Sequence, residues 1–449
     1  MNLIDYKNYL KTGLILFLLS ILLNGYILKT TGPNIVPDSS GYSRVANNYN
    51  ELGSLMENDF NGEYIPFTER MPLYPIILSY IIDDKNLSDE NLLPAAMLNV
   101  VLYALTVVIV FFSANVLFSY KIGVLAGIFS LLDPWAALVT RMILPDTLFN
   151  FLISIVFFVS CLIFSDIDKF SLKSNIVKYR WFFLLGLSIG FAAMARPTAN
   201  YYWLLLAIII YSSFSIKEAT KYFILSLIGL SLFTGSWALR NHIIDGNFQL
   251  QSISGVSLLW STQKLTSPST LDDYDKDAIL AGIRDEVVNS IDSVNVVVPV
   301  RKKYNLSVSE ADTYLMKIAI ENIINNPYEA AKIYTENILK TISTLFNYKK
   351  ISHSLSNYPM VVVWGEKIAS FIIFVALIFV SAFLIIKKNS ISFSMKIFLI
   401  LNFLYFISLS SLVEGSFRYR LPLHSLYWIV NAYTLLYLYS LLSNYFHKK

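Results

Sequence analysis

The chain has 449 residues, of which 55% are hydrophobic and only 15% are charged, and its mean hydropathy is +0.55. Soluble domains carry about 25% charged residues, so this composition excludes a soluble globular protein and indicates a chain that is solvated by lipid. The net charge of +4 comes from scattered basic residues, which argues against a nucleic-acid partner, and the single cysteine, Cys161, excludes a disulfide framework.

Ten apolar runs are predicted to cross a bilayer, because a spanning helix needs about 20 apolar residues. They cover residues 12–28, 94–118, 122–140, 147–164, 181–195, 199–214, 222–238, 361–386, 396–413 and 421–443. The segment 72–82 is too short to cross, and it predicts an interfacial or re-entrant helix. The predicted fold class is therefore an all-α polytopic membrane protein with about ten transmembrane helices.

The basic residues of the short loops predict the orientation of these spans, since such residues are enriched on the cytoplasmic side. With the N-terminus inside, the lysines and arginines around residues 121, 169–180, 217–221 and 387–396 all lie inside. An even number of spans returns Lys448 and Lys449 to the same side. The prediction is N-in and C-in, with two large outer segments, residues 29–93 and 239–360.

Ionisable residues gather near the predicted outer ends of the spans. They are Asp38, Arg70, Asp146, Arg196, Arg240, Glu414, Arg418 and Arg420. Outer arginines oppose the usual bias, so membrane insertion does not explain them, and charges at membrane depth usually line a cavity or a substrate path. The planar guanidinium donates two hydrogen bonds at once to phosphate. The pattern predicts an outward-facing site for a lipid-borne phosphate.

Structural alternatives stay open for each of these residues. Any one arginine could anchor a helix end by snorkelling or pairing, Asp38 could form a turn or cap in "PDSSG", and Asp146 could cap the span that follows it. No histidine pair has zinc-binding spacing, and the acidic segment 272–286 lacks the glycine and closing glutamate of a calcium loop. A divalent metal is possible, but no ligand set for it is evident, and no cofactor is certain.

Several motifs occur in an order that resembles a known family. They are "PDSSGY", "RMPLYP", "LPDTLF", "ARP", "WALRNHIIDGNFQLQSISG" and "FRYRLPL". Over residues 5–440 the chain resembles the bacterial GT-C membrane glycosyltransferases, and within them the family of protein O-mannosyltransferases and lipid A aminoarabinose transferases. The resemblance implies a hexosyl- or pentosyltransferase in the cytoplasmic membrane. Such an enzyme moves a sugar from a polyprenyl-phosphate donor to a glycan, lipid or protein acceptor on the periplasmic or exterior side.

The resemblance also implies roles for individual residues. Asp38 occupies the position of the proposed catalytic base, and Asp146 that of a second outer carboxylate, with Tyr42 and Glu414 in support. We expect the arginines to hold the donor phosphate; they are Arg70, Arg196, Arg240, Arg418 and Arg420. Asp38 is followed by Ser39, where protein mannosyltransferases have an Asp-Glu pair, and residues 239–360 show no β-trefoil insert. Both differences favour a glycan or lipid acceptor over a protein.

The chemistry of such a transfer agrees with these residue types. Phosphate is a good leaving group, so a base and stabilising positive charge suffice, and direct displacement would invert the anomeric centre. The predicted organisation is an N-terminal transmembrane catalytic module (1–238), an extracytoplasmic loop region (239–360) and C-terminal transmembrane helices (361–449). Two other functions remain as alternatives: a transporter or flippase for a lipid-linked glycan, and a polysaccharide polymerase or ligase.

Overall fold

The structure, a computed structural model, describes residues 3–58, 62–82, 89–166, 168, 170, 172–262, 300–301, 304–342, 392–413 and 417–446. The first half contains α1 (Leu3–Thr31), α2 (Pro37–Leu52), β1 (Met56–Asn58), β2 (Tyr64–Pro66), α3 (Leu73–Ser79), α4 (Asp89–Leu117), α5 (Tyr120–Leu131), α6 (Pro134–Val139), α7 (Asp146–Phe164) and α8 (Asn175–Ala193). After a 3-10 helix, η1 (Pro197–Tyr201), come α9 (Tyr202–Ser213), α10 (Ile216–Asp245), α11 (Ser254–Thr262), α12 (Val308–Asn325), α13 (Pro327–Ile342) and α14 (Phe393–Val413). A second 3-10 helix, η2 (Phe417–Leu423), leads into α15 (His424–Phe446).

Six of the described helices are long and apolar enough to cross a membrane. They are α1, α4, α7, α8, α10 and α14. The chain is therefore a mostly helical, multi-pass membrane protein, as the composition indicated. The predicted span 361–386 lies outside the described residues, and the count of ten spans is not confirmed.

Two predicted spans differ from the helices that the structure contains. The run 122–140 is broken, because α5 ends at Leu131 and Asp133 begins a new helix by accepting a hydrogen bond from the Trp135 amide at 2.9 Å. The run 199–214 opens as a 3-10 helix, and only twelve residues of α-helix follow it. The predicted short helix at 72–82 is present as α3, over residues 73–79.

Glycines allow α8 and α10 to approach each other closely. A Cβ at Gly186 would lie 2.0 Å from the Ser226 carbonyl oxygen, and one at Gly190 would lie 2.6 Å from the Leu230 carbonyl oxygen. From the other side, a Cβ at Gly229 would lie 2.6 Å from the Phe183 carbonyl oxygen. Small residues four positions apart are what close helix packing in membranes requires. This packing fixes the C-terminal end of α8, from which Arg196 follows.

The segment between α1 and α4 folds over one end of the helices. Its strands β1 and β2 pair antiparallel, with Met56 opposite Pro66. Helices α2 and α3 pack through Tyr42 and Tyr74, whose rings meet edge to face at 5.4 Å. The Ser252 amide donates to the carbonyl oxygen of Thr68, which lies between β2 and α3, at 3.0 Å. The segment is therefore held by both the helices and the chain that follows α10.

The predicted outer region 239–360 is helical wherever it is described up to residue 342, apart from short connections. Helix α10 continues to Asp245, beyond the predicted boundary at 238. Helix α13 packs along α14 in the same direction, because Tyr334 donates to the Ser408 carbonyl and Asn337 to the Ser411 carbonyl. The three-part division of the chain stays a prediction.

Candidate functional site

Asp38 lies in the first turn of α2, one residue after the proline that opens this helix. Pro37 opens the helix, and the Val36 amide donates to the Ser39 hydroxyl at 3.1 Å. A proline suits this position because the first amides of a helix have no partner within it. Helix capping therefore does not occupy the Asp38 carboxylate, which contacts arginine side chains instead.

Two arginines from distant segments contact the Asp38 carboxylate. Arg70 Nη2 lies 3.3 Å from Oδ1, and Arg418 Nη1 lies 3.5 Å from Oδ2. The Arg70 guanidinium also stacks over the Tyr42 ring, 5.2 Å from its centre. The Asp38 side chain is 35% exposed to solvent. Each oxygen thus has its own cationic partner, and the carboxylate remains accessible.

A second ion pair lies beside the first. Asp146 is the first residue of α7, and its Oδ2 accepts from Arg196 Nη2 at 2.7 Å. Tyr419 lies between the two pairs, because Arg196 lies 5.4 Å and Arg418 lies 5.1 Å from the centre of its ring. Arg418 Nη2 also contacts the Tyr419 hydroxyl at 3.2 Å. The described site therefore has two carboxylates and three arginines, joined through one tyrosine.

The arginines control the ionisation of Asp38. Burial raises the pKa of Asp38, but the charges of Arg70, Arg418 and Arg196 outweigh it, so that its pKa lies below the usual value. The N-terminus of α2 also favours a negative charge at this position. Asp38 is therefore ionised at neutral pH.

Arg240 and Arg420 do not join the residues around Asp38. The Arg240 guanidinium donates to the Phe67 carbonyl at 2.6 Å and stacks over Trp237 at 4.6 Å, so within the described chain it ties α10 to the β1–β2 segment. Arg420 is buried and lies 5.5 Å from the centre of the Trp135 ring. These positions separate Arg240 and Arg420 from the three arginines near Asp38, and a phosphate-binding role for either residue stays a prediction.

Tyr42 lies beneath the Arg70 guanidinium, and its supporting role stays a prediction. Glu414 lies outside the described residues.

Sequence reasoning missed a pair of carboxyl groups behind Arg70. Glu69 Oε1 lies 3.6 Å from Arg70 Nε, and Glu57 on β1 is hydrogen-bonded to Glu69. Both are buried, and burial together with the Glu69 charge raises the pKa of Glu57 well above its usual range. Glu69 is adjacent to Arg70 in the sequence, and this adjacency could have indicated that the two side chains lie close together. The pairing with Glu57 depends on the β1–β2 ribbon and has no sequence signature.

The arrangement can bind an anion and accept a proton. Three guanidinium groups supply positive charge, and an ionised, partly exposed carboxylate lies among them. Within the described ranges, no three His, Cys, Asp or Glu side chains are grouped so that they could hold a metal ion.

The sequence matches no protein-family model and no curated protein. Its fold is similar to that of the oligosaccharyltransferase AglB from Archaeoglobus fulgidus. The complex of AglB with an inhibitory peptide and a dolichol-phosphate aligns with a TM-score of 0.55 and 12% identity, over 99% of this chain and 52% of that chain. The complex of the Archaeoglobus enzyme with zinc and sulfate aligns with a TM-score of 0.52 and 12% identity, over 95% and 49%.

A third similarity is weaker. ArnT from Cupriavidus metallidurans bound to undecaprenyl phosphate aligns over 97% of this chain and 78% of that chain, with 11% identity and a TM-score of 0.41, below the level that indicates a common fold. The chain spans about half the length of the archaeal enzyme. The likeness in fold to this oligosaccharyltransferase agrees with the family resemblance that the motifs indicated.

Proposed function

We propose that this chain is a membrane glycosyltransferase that moves a sugar from a polyprenyl-phosphate donor to an acceptor hydroxyl at the Asp38 site. The observation that carries the proposal is the accessible, ionised Asp38 carboxylate between Arg70 and Arg418. Support for the donor class comes from AglB, a protein of similar fold that has been solved with a dolichol-phosphate. The acceptor is a glycan or lipid in preference to a protein.

In this mechanism Asp38 is the general base. It takes the proton of the acceptor hydroxyl while the acceptor oxygen attacks the anomeric carbon. The bond between that carbon and the phosphate oxygen breaks, and its electron pair leaves with the polyprenyl phosphate. One displacement inverts the anomeric centre. The guanidinium groups stabilise the charge that develops on the phosphate, which is the largest need of such a transition state.

Arg70, Arg418 and Arg196 are the proposed phosphate-binding residues, and Asp146 orients Arg196 or the acceptor. In the free protein Arg70 and Arg418 lower the pKa of Asp38 and so weaken it as a base. A donor phosphate that engages these arginines would neutralise them and return the pKa of Asp38 toward its usual value. The positive-inside pattern supports a site on the outer face of the cytoplasmic membrane.

The test uses purified wild-type and Asp38→Asn proteins with a panel of polyprenyl-phosphate sugars and an acceptor extract from the host. Release of free polyprenyl phosphate and mass gain on the acceptor are followed together. Asp38→Asn is expected to lower transfer by about 10²–10⁴-fold, the usual contribution of a general base. Glu51→Gln, an exposed carboxylate on the same helix, is the matched control and should keep full activity.

A fully active Asp38→Asn protein would rule out this assignment. Release of polyprenyl diphosphate from a diphosphate-linked donor would instead identify a polymerase or ligase. Movement of lipid-linked glycan across vesicles without release would identify a flippase.

A further inference from the structure

A second group of polar side chains is buried where η2 meets α15. His424 Nδ1 lies 3.0 Å from Asp133 Oδ2, and His424 Nε2 lies 2.7 Å from the Ser130 hydroxyl. Trp428 Nε1 donates to the same Asp133 oxygen at 3.0 Å. His424 and Asp133 are only 2% and 8% exposed, and Ser130 is fully buried. We call Asp133, His424, Ser130 and Trp428 the junction.

The junction is not a second catalytic centre. Serine, histidine and aspartate are connected in the order of a hydrolytic triad, but the Ser130 side chain lies inside the protein, where no substrate reaches it. Buried polar groups that satisfy each other in this way hold particular segments in one arrangement. The function of the junction therefore depends on which segments it holds together.

The junction connects the segment that leads to Asp146 with the segment that carries Arg418. Asp133 Oδ1 accepts from the Trp135 amide and so begins α6, and the turn after α6 ends at Asp146. On the other side, His424 is the first residue of α15 and follows directly after η2, which carries Arg418 near its start. The Asp133 carboxylate thus contacts both segments, one through each of its oxygens. The chain between Arg418 and His424 is short and forms regular 3-10 helix.

The geometry of η2 makes the position of Arg418 sensitive to this contact. A 3-10 helix has three residues per turn and rises about 2 Å per residue. A slip of one residue would therefore rotate Arg418 by about 120° and move it away from Asp38. We propose that the contact between Asp133 and His424 is a positioning contact, which holds η2 in the register that brings Arg418 to Asp38 Oδ2. Both residues act through Arg418 and touch no reacting atom.

Two substitutions of His424 separate its two contacts. In His424→Asn the amide nitrogen replaces Nδ1 and keeps a donor toward Asp133, whereas in His424→Gln the longer amide replaces Nε2 and keeps the contact with Ser130. The positioning contact predicts that His424→Asn preserves the site and that His424→Gln does not. Asp133→Asn serves as a second disruptive variant, because its Oδ1 can still begin α6 while the acceptor for His424 is lost.

The experiment measures the affinity of the purified full chain for undecaprenyl phosphate, and this choice of probe rests on the proposed function. His424→Asn, His424→Gln and Asp133→Asn are each made in the Arg418 protein and in an Arg418→Gln protein. We expect His424→Gln and Asp133→Asn to weaken binding by about tenfold with Arg418 present and by less than about twofold without it, as coupled residues do in a double-mutant cycle. His424→Asn should stay within about threefold of wild type.

An equal loss in both backgrounds would overturn the proposal, because it would show a general effect on folding. An equal loss for His424→Asn and His424→Gln would also overturn it. If wild type binds no undecaprenyl phosphate, the proposed donor class fails, and the same proteins are compared by thermal unfolding. Losses of stability from Arg418→Gln and His424→Gln that are less than additive would then support the positioning contact, and additive losses would refute it.

Discussion

The Asp38 site and the junction at Asp133 use the same kind of side chain in opposite ways. Asp38 is 35% exposed and faces two guanidinium groups at 3.3 and 3.5 Å, which is longer than the roughly 2.7–2.9 Å of a well-formed charged hydrogen bond. Asp133 is buried and accepts from three donors at 2.9–3.0 Å and from a fourth, the Ala136 amide, at 3.4 Å. The short, buried contacts hold the fold, whereas the longer, accessible contacts leave the arginines able to exchange partners.

The largest expected difference between the two regions is in stability. Asp133→Ala removes the acceptor for His424 and Trp428 and the cap of α6, and each buried donor left unpaired costs about 1–3 kcal/mol. Asp38→Ala removes partly exposed ion pairs, which are each worth about 0–1 kcal/mol. Thermal unfolding of both variants in the same detergent should show a much larger loss for Asp133→Ala. Similar losses would mean that the two regions do not differ in this way.

The second expected effect separates the arginines of the site from one that holds the fold. Arg418→Lys loses the planar fork that binds phosphate and is expected to weaken binding of undecaprenyl phosphate by about tenfold. Arg240→Lys loses contacts to backbone carbonyls and is expected to lower the unfolding temperature while keeping affinity unchanged. Weaker binding in Arg240→Lys with unchanged Arg418→Lys would reverse the assignment.

A third carboxylate, that of Asp312, differs from Asp38 and Asp133 in how its ionisation changes stability with pH. Asp312 on α12 caps α11 by accepting from the Gly255 and Val256 amides, and burial raises the pKa of Asp312 to about 6, against the opposing effect of these hydrogen bonds. A raised pKa contributes stability that is present below about pH 4 and is lost as the pH rises through 6.

Asp312→Asn keeps the acceptor and removes the titration. It should match wild type at pH 4 and be more stable at pH 8, by at most roughly 3 kcal/mol for a shift of about two units. Unfolding temperatures at the two pH values test this, with Asp312→Ala, which removes the cap, as the control that is destabilised at both. A constant difference between Asp312→Asn and wild type at all pH values would contradict it. Asp38 has the opposite sign, since its lowered pKa contributes stability that is lost as the pH falls through that pKa.

The smallest expected effect concerns Glu57. Burial and the neighbouring Glu69 charge raise the pKa of Glu57 well above its usual range, which favours the protonated form of this side chain. Glu57→Gln is then nearly isosteric and neutral, and it should change the unfolding temperature little at pH 7, within about 0.5 kcal/mol. At alkaline pH the variant should be the more stable protein, because wild type loses stability as the pH rises through the pKa of Glu57. A large loss at pH 7 would show that Glu57 is ionised.

Different parts of the site were predictable to different degrees. Asp38, Arg70, Asp146, Arg196 and Arg418 lie in short polar motifs at the ends of apolar runs, and charge at such positions is visible in one dimension. Tyr419 was overlooked although it stands between two arginines of the "FRYRLPL" motif, because an aromatic residue there is equally expected in an interfacial helix. The carbonyl contacts of Arg240 were not predictable, because an arginine at a helix end looks the same in the sequence whether it contacts phosphate or carbonyl oxygens.

The amino-acid sequence by itself determined that this is a multi-pass helical membrane protein, because apolar length is a property of the chain alone. The order of its motifs also indicated the family whose fold resembles the solved oligosaccharyltransferase. Only the tertiary structure decided which charges meet. Asp38 and Arg418 are 380 positions apart, and Asp133 and Trp428 are 295 apart. Asp133 sits inside an apolar run that reads as one span, and its role depends on a histidine from the far end of the chain. Hydropathy predicts which segments lie in lipid. It does not predict ion pairs, because these depend on which helix ends pack side by side.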